Sequence, residues 1–424
     1  MKTKLGLLPL VAATFFMVSG GPYGIEGLVQ QSGYAGAIAI LLIIPLIWAL
    51  PTGLMVGELA AAIPAEGGFY VWVHRALGPF WGFQEAWLSM AASVFDMAAY
   101  PAIFVLSLGQ LWPPATHNPY RVLIPAAVIL GCVAWNLLGV KAVGNSSIIL
   151  GILLLVPFGL IVILARHHDL PAAAVQPNWY AGLVIAMWNF MGWDNASTVA
   201  QEVKDPQKTY PRTMLWAVAA VTLVYIVPIS AVGYAGVPST SWSDGAWVSL
   251  AGTIRPWLAV PVLLTIMISV VGQVNSLTMS YSRIPLAMAE DHLAPSILRR
   301  VSANGSPWCA LLFCGAIWTM ALSLSLERIL LMDILLYGAS LVLEFVALVV
   351  LRITQPTLVR PFKVPGGTLG AIAIAAGPCL LLVFAAVLNR HERIGEISAA
   401  GLAVGVAICG PVVYPLAKRF CAAK

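Results

Sequence analysis

Long apolar segments recur along the whole chain, separated by short polar stretches. A run of about 18 or more apolar residues is typical of a helix that crosses a membrane. We predict about twelve such spans, at residues 6–30, 34–62, 80–112, 121–139, 146–165, 179–201, 211–236, 250–284, 307–325, 329–352, 369–388 and 395–417. The pattern therefore predicts an all-α membrane protein that crosses the bilayer many times.

Two of these spans are interrupted by polar residues where a membrane helix should be most apolar. Residues 19–26 of the first span read Ser-Gly-Gly-Pro-Tyr-Gly-Ile-Glu, and residues 188–195 of the sixth read Trp-Asn-Phe-Met-Gly-Trp-Asp-Asn. Glycine and proline at membrane depth favour an unwound backbone, and a carboxylate there is costly unless something binds it. Interrupted helices in corresponding halves are the best sequence indication of the substrate site of a secondary transporter.

The positions of the two interruptions predict how the spans are organised. Because they fall in spans one and six, five spans per half fit an inverted 5+5 repeat of the kind found in the leucine-transporter fold. We assign the first repeat to residues 1–165 and the second to residues 166–353. Residues 354–424 then hold the last two spans and the C-terminal segment.

Composition and charge agree with a membrane protein and give its orientation. The chain is 60% hydrophobic and 9% charged, far below the roughly 25% charged residues of a soluble domain. The net charge of +5 does not indicate nucleic-acid binding, because the basic residues are scattered through the loops. With the N-terminus in the cytoplasm, sixteen of the 22 Lys and Arg residues fall on the inner side. This bias predicts cytoplasmic N- and C-termini in a plasma (inner) membrane protein.

No cofactor or metal is expected from the sequence. The six cysteines lie in or beside apolar spans without the spacing of metal ligands, so packing is the better explanation. No Walker-type phosphate-binding motif is present, which argues against nucleotide-driven transport. We expect the lipid bilayer, a small-molecule substrate and a proton as partners, and a monomer or a homodimer.

Acidic residues inside the spans are the candidate chemical groups. Asp96 and Asp194 lie at mid-membrane positions, where a carboxylate needs a partner or a function, and Glu26 follows the first interruption. Eleven residues separate Glu85 from Asp96, which puts both on nearly one helix face about 16 Å apart. Glu85 lies near the inner end of the third span, where we expect a solvated or interfacial role.

Three further acidic residues receive structural interpretations. Glu58 and Glu202 lie near the inner ends of spans and are expected to hold loops in place. Glu344 lies two turns before Arg352 and is expected to pair with a neighbouring span.

Three segments carry a family resemblance, in the expected order along the chain. They are residues 57–83 (with Gly57-Glu58-Leu59-Ala60 and Pro64-Ala65-Glu66-Gly67-Gly68), residues 282–291 (Ser-Arg-Ile-Pro-Leu-Ala-Met-Ala-Glu-Asp) and residues 360–365 (Arg-Pro-Phe-Lys-Val-Pro). Together they resemble the amino acid–polyamine–organocation (APC) transporter superfamily. Residues 18–26, 95–101, 192–195 and 343–352 resemble its polyamine-uptake branch of polyamine:proton symporters.

The resemblance implies a substrate site built from the two interruptions and from spans three, eight and ten. In amino acid carriers of this family the first interruption usually reads Gly-Ser-Gly, and its amides bind the substrate carboxylate. Here Gly24-Ile25-Glu26 takes its place, and a carboxylate would attract an ammonium group instead. The predicted substrate-binding residues are Ser19, Gly20, Gly21, Pro22, Tyr23, Gly24, Glu26, Asp96, Tyr100, Trp188, Asn189, Trp193, Asp194 and Gln273.

The sequence thus favours a secondary active transporter for a polyamine such as putrescine or spermidine. Alternating access is the expected mechanism, and Asp194, Glu26 and Asp96 are the candidates for carrying a coupled proton. An amino acid permease or exchanger of the same fold is the alternative function. A channel is disfavoured by the two interrupted helices, and a receptor by the lack of a signalling domain. We do not expect an enzyme.

Overall fold

The computed structural model describes residues 4–169, 178–322, 329–388, 393–394 and 397–421. Within these ranges the only strands are β1 (Arg393–Ile394) and β2 (Ile397–Ser398), which pair antiparallel. The α-helices of the described residues are α1 Leu7–Val18, α2 Glu26–Ile44, α3 Leu50–Ala62, α4 Phe69–Leu77, α5 Pro79–Leu111, α6 Tyr120–Asn136, α7 Val140–Leu164, α8 Trp179–Asn189, α9 Pro206–Tyr234, α10 Trp247–Ile254, α11 Ala259–Tyr281, α12 Arg283–Glu290, α13 Trp308–Ala321, α14 Ile329–Thr354, α15 Gly367–Leu388 and α16 Ala399–Cys421. The predicted all-α class is confirmed.

Many of these helices have the length and composition of membrane spans. In the described part of the chain, eight helical stretches are long and apolar enough to cross a membrane, and α1, α6 and α13 are shorter apolar helices. The total of twelve spans stays a prediction. The segment 170–177, which joins the two predicted repeats, lies outside the described residues, as do Lys2, Arg328, Arg390 and Lys424 of the charge count.

The interruption predicted in the first span is present. Helix α1 ends at Val18, residues 19–25 are not helical, and α2 begins at Glu26. A second bend follows at Gly33, whose φ of 65° lies in the left-handed region that favours glycine. Beyond it the chain continues through a π-helical turn at Pro45–Ala49 into α3.

The interruption predicted in the sixth span is present as well. Helix α8 ends at Asn189, and the chain continues through 3₁₀ turns at Asp194–Thr198 and Ala200–Glu202 before α9 begins. Gly192 lies in this break with φ of 93°, and a Cβ atom there would stand 2.7 Å from the carbonyl oxygen of Met17. Only glycine allows the two broken segments to approach this closely.

Helix α5 lies inside the helix assembly, and α15 and α16 lie at its edge. Helix α5 packs against α14, α11, α4, α16 and α6. Of the most apolar stretch of α14, 61% is buried, against 11% for α16. The outermost helices therefore present apolar surface, as expected for helices that face lipid.

Buried ion pairs hold the inner loops. Arg352 donates from Nε to the fully buried Glu58 at 2.9 Å, and Arg360 adds a second cation at 3.3 Å. At a separate position Arg283 donates to Glu202 at 2.9 Å. The expectation that Glu58 and Glu202 hold loops in place is confirmed.

Candidate substrate site

A cavity with about 70 Å³ of free volume, open at its mouth, lies between the two breaks. It is lined by Val18, Ser19, Tyr23, Gly24, Tyr100, Ile103, Trp188, Asn189, Ile266, Ser269, Val270 and Gln273. Seven of the predicted site residues are in this set. We call it the outer cavity.

Hydrogen bonds join the walls of the outer cavity. The Asn189 side chain donates to the carbonyl of Gly24 at 2.9 Å, so one break is tied to the other. Gln273 of α11 donates to the carbonyl of Ser19 at 3.3 Å. A Cβ atom on Gly20 would stand 2.5 Å from the Gln273 side chain, which explains why glycine occupies that position.

Glu26 takes up the free amide groups of the first break. Its side chain is 4% exposed and lies close to the backbone amides of Gly24, Ile25 and Glu26 itself. An unwound segment before a helix N-terminus normally offers such amides to an anion. Here a carboxylate of the chain itself already occupies them. Glu26 does not line the outer cavity, so its position does not support a direct contact with a substrate there.

A second, smaller cavity with about 20 Å³ of free volume lies beside the first and contains two aspartates. Asp96 of α5 accepts a hydrogen bond from Tyr281 at 2.8 Å. Asp333 of α14 lies within hydrogen-bonding reach of Asp96 and is 5% exposed. We call this space, lined by Met17, Val18, Asp96, Tyr100, Trp188, Met191, Gly192, Asn195, Tyr281, Asp333 and Tyr337, the inner cavity.

Two aromatic side chains separate the outer from the inner cavity. The rings of Tyr100 and Trp188 are stacked, with centroids 6.5 Å apart and planes 26° apart, and both rings line both cavities. The Trp188 side chain also hydrogen-bonds Asp333. Since aromatic faces attract cations and the two aspartates lie just behind them, this arrangement suits an ammonium group.

Asp194 lies beside the inner cavity rather than in its wall. It accepts a hydrogen bond from Tyr337, whose hydroxyl oxygen accepts in turn from the amide of Gly192 at 2.9 Å. Because Tyr337 lines the inner cavity, Asp194 is one side chain away from it.

The remaining predicted residues have structural contacts. Pro22 accepts a hydrogen bond from Trp247, and Gly21 packs closely on Leu154. Trp193 is fully buried and donates to the carbonyl of Phe190 at 2.7 Å. Like Gly20 and Glu26, these three line neither cavity. Their assignment to substrate binding stays a prediction that the contacts do not favour.

Two of the structural interpretations were wrong. Glu85 is fully buried instead of solvated, since α14 and α16 cover the inner end of α5. Glu344 is also fully buried, and neither of its carboxylate oxygens has a hydrogen-bond partner among the described residues. It therefore does not pair with a cation on a neighbouring span.

Asp333 is the site residue that sequence reasoning missed. It is a lone aspartate in an apolar helix, and such a residue should have been treated like Asp96. A second signal was available: Asp333 and Glu344 are eleven residues apart, the spacing that also separates Glu85 from Asp96.

Comparison with known proteins agrees with this geometry. The model of the family described as amino acid permease matches residues 11–394. The polyamine transporter PUT1 of Oryza sativa subsp. japonica is 32% identical, covering 98% of this chain and 80% of its own length. The polyamine transporter RMV1 of Arabidopsis thaliana is 31% identical over 96% of this chain and 84% of its own length. The serine/threonine exchanger SteT of Bacillus subtilis is 25% identical over 99% of this chain and 98% of its own length.

These matches run along nearly the whole chain, through both breaks and the cavities between them. They extend over the apolar helices that give the molecule its membrane character. The chain therefore belongs to the amino acid permease family of the APC superfamily, and it is a multi-pass membrane transporter of polyamines or amino acids rather than an enzyme.

Proposed function

We propose that this protein is a secondary active transporter that moves a polyamine across the plasma membrane by alternating access, coupled to protons. The observation that carries the proposal is a pair of aspartates, the half-buried Asp96 and the buried Asp333, in a cavity walled by Tyr100 and Trp188. Two carboxylates within hydrogen-bonding reach of each other repel unless a positive charge or a shared proton lies between them. A primary ammonium group supplies that charge and also contacts the aromatic faces.

The state of the first break argues against an α-amino acid as substrate. The amides of Gly24, Ile25 and Glu26 are occupied by the carboxylate of Glu26. A substrate carboxylate would have to displace that side chain and approach a region already rich in negative charge. The relatives named as polyamine transporters support the same substrate class.

Two cavities in line suit a substrate with more than one ammonium group. One ammonium binds between Asp96 and Asp333, and the alkyl chain passes Tyr100 and Trp188 toward the outer cavity. There the polar side chains of Ser269 and Gln273 can hydrogen-bond a second amine. Asp96 and Asp194 remain the candidates for exchanging a proton against this positive charge, with Glu26 a third.

The two breaks support alternating access within an inverted 5+5 arrangement. Both lie against the cavities, and Asn189 ties one to the other, so rocking of α1 and α8 changes access to the same site. We retain the repeat boundaries at residues 1–165 and 166–353, and cytoplasmic termini, as part of this proposal.

Ligand-dependent thermal stabilisation of the purified protein tests the substrate. Because a ligand that binds only the folded state raises the melting temperature, putrescine and spermidine should raise it, while leucine, alanine and arginine should not. Asp96→Asn and Asp333→Asn should each lose this shift, and the exposed cytoplasmic variant Asp205→Asn should keep it. Stabilisation by a neutral amino acid alone would reject the polyamine and favour an amino acid carrier.

A further inference from the structure

Helices α5 and α14 carry two matched levels of acidic side chains. Glu85 and Asp96 on α5, and Asp333 and Glu344 on α14, are each eleven residues apart. Asp96 meets Asp333, and Glu85 interacts electrostatically with Glu344. The helices therefore run in opposite directions, and the second pair lies about 16 Å along the helix axis from the first.

The second level is a cluster of three buried carboxyl groups. Glu85 and Glu344 each interact electrostatically with Asp194 as well as with one another, and Asp194 also interacts electrostatically with Asp96 of the first level. Glu85 and Glu344 are fully buried and Asp194 is 2% exposed. Among the described residues, one oxygen of Glu85 and both oxygens of Glu344 have no hydrogen-bond partner. We call these three residues the inner carboxyl cluster.

The basic side chains on the surrounding elements are engaged elsewhere. Arg352 follows Glu344 by eight residues, about 12 Å along α14, and is bonded to Glu58. Arg283 is bonded to Glu202, and His74 of α4 lies 3.1 Å from Asp291. The other charged or titratable groups on the packed helices include Tyr70 and Arg75 on α4, Tyr281 on α11, Tyr337 on α14, and Tyr414, Lys418 and Arg419 on α16; Tyr70 donates to Asp291.

Those remaining groups do not neutralise the cluster. Tyr281 donates to Asp96, Tyr337 donates to Asp194 without bringing a charge, and Arg75 is bonded to Gln355. Lys418 and Arg419 are exposed near the end of α16. Three adjacent carboxylates in an apolar interior cannot all be ionised without a cation among them.

Space decides which cation fits. Because Glu85 and Glu344 expose no surface even to a water-sized sphere, an ammonium group or a hydrated metal ion has no room beside them. A proton needs no such room.

We propose that Glu85, Asp194 and Glu344 form a proton-binding site that is separate from the substrate site and holds at least one proton in this conformation. The proposal rests on the transport function proposed above and assigns coupling to two glutamates outside both cavities. Tyr337 connects the levels, because it lines the inner cavity and donates to Asp194. On opening of the inner side, a cluster carboxylic acid releases its proton to cytoplasmic water and becomes a carboxylate.

Infrared spectroscopy of the purified protein at neutral pH tests this site directly. A buried protonated carboxyl group shows a C=O stretching band, whereas exposed carboxylates, which are ionised at that pH, do not contribute to it. Glu85→Gln and Glu344→Gln keep the side-chain volume, and glutamine in place of Glu85 still accepts from Ser89. We expect at least one of these variants to reduce the band, and Glu290→Gln, at an exposed cytoplasmic position, to leave it unchanged.

A second readout follows transport in proteoliposomes. In the glutamine variants, polyamine uptake should lose its stimulation by an imposed proton gradient, while the thermal shift with putrescine stays within about twofold of wild type, since the substrate site is intact. If the variants do not fold, the wild-type band decides. Asp96→Asn combined with Asp333→Asn and Glu26→Gln removes the carboxyl groups of the inner cavity and of the first break, and a band that survives these substitutions belongs to the cluster.

The possible failures are distinguishable. An unchanged band in both glutamine variants, or complete loss of the band in the combined Asp96→Asn, Asp333→Asn and Glu26→Gln variant, would overturn the proton site and leave the polyamine function standing. Absence of any polyamine binding, together with a reduced band in the glutamine variants, would overturn the substrate assignment and leave the proton site standing.

Discussion

Single residues decide which charge the substrate site accepts. Asp96 and Asp333 provide negative charge in the inner cavity, and Glu26 closes the amide groups through which an anion would bind. A cation can therefore bind Asp96 and Asp333, whereas the amide groups that would bind a substrate carboxylate are already taken by Glu26. The proposed preference for an amine rests on these three side chains, which lie on three different helices.

Removing the Glu26 carboxylate should relax this selectivity. In Glu26→Ala the amides of Gly24 and Ile25 become free to bind an anion, as helix N-termini do. We expect leucine or alanine to begin to raise the melting temperature of this variant, and the shift with putrescine to decrease.

The exposed position Glu290 offers a matched control, because Glu290→Ala also removes one carboxylate but leaves the first break intact. If leucine and alanine raise the melting temperature of neither variant, and putrescine still raises that of both by the wild-type amount, the Glu26 carboxylate does not control access to these amides.

The sequence predicted some of these residues and missed others for physical reasons. Asp96 was predicted because a mid-membrane carboxylate is unusual in itself, and Trp188 was predicted from the family resemblance. Asp333 was missed and Glu85 was misplaced, because the pairing of α5 with α14 is a tertiary contact. Distance from a helix end does not tell how deeply neighbouring helices bury a side chain.

At the level of elements, the two broken helices depend on backbone that only glycine can adopt. Both interruptions could be predicted, since glycine and proline clusters in an apolar span signal them directly. The tie from Asn189 to Gly24 could not, because it joins segments that are far apart in the sequence.

Gly192→Ala should therefore destabilise the protein and reduce transport. The φ of 93° is unfavourable for alanine, and the new Cβ atom would press on the carbonyl of Met17. Together these effects cost roughly 1–3 kcal/mol, measurable as a lower melting temperature. Gly131→Ala in α6 is the control, because nothing lies within 4 Å of its Cβ position. Equal melting temperatures for the two variants would contradict the role assigned to the break.

Helix α4 is attached to the end of α12 by a pH-sensitive contact. Hydrogen bonding from His74 is the main cause that lowers the pKa of Asp291 below its ordinary value of 3.8, and the Tyr70 hydroxyl, 2.7 Å away, adds to it. A carboxyl group with a lowered pKa in the folded state stabilises that state above the ordinary value. The stabilisation is lost as the pH falls through the lowered pKa.

Asp291→Asn should accordingly lower the melting temperature at neutral pH. The difference from wild type should shrink as the pH falls below 3.8, because the wild-type aspartate then becomes protonated as well. Melting curves over a pH series measure this, with the exposed Asp205→Asn as control. A difference that persists unchanged at the acidic end would show that ionisation of Asp291 is not the cause.

For the whole molecule, the acidic groups form two levels across one pair of helices. The upper pair, Asp96 and Asp333, faces the cavities, while Glu85 and Glu344 lie about 16 Å away along the helices. Arg352 and Arg283 are held by other acids beyond them. In the proposed function, a transported cation exchanges with a proton in this interior, where the described Arg352 and Arg283 are already paired with other acids.

The most direct test is uptake of labelled putrescine into proteoliposomes that contain the purified protein. We predict uptake that unlabelled spermidine inhibits and leucine does not, that Asp333→Asn abolishes, and that Asp205→Asn leaves at the wild-type rate. Uptake inhibited by leucine but not by spermidine, or uptake unaffected by Asp333→Asn, would contradict the assignment of the aspartate pair as the amine site.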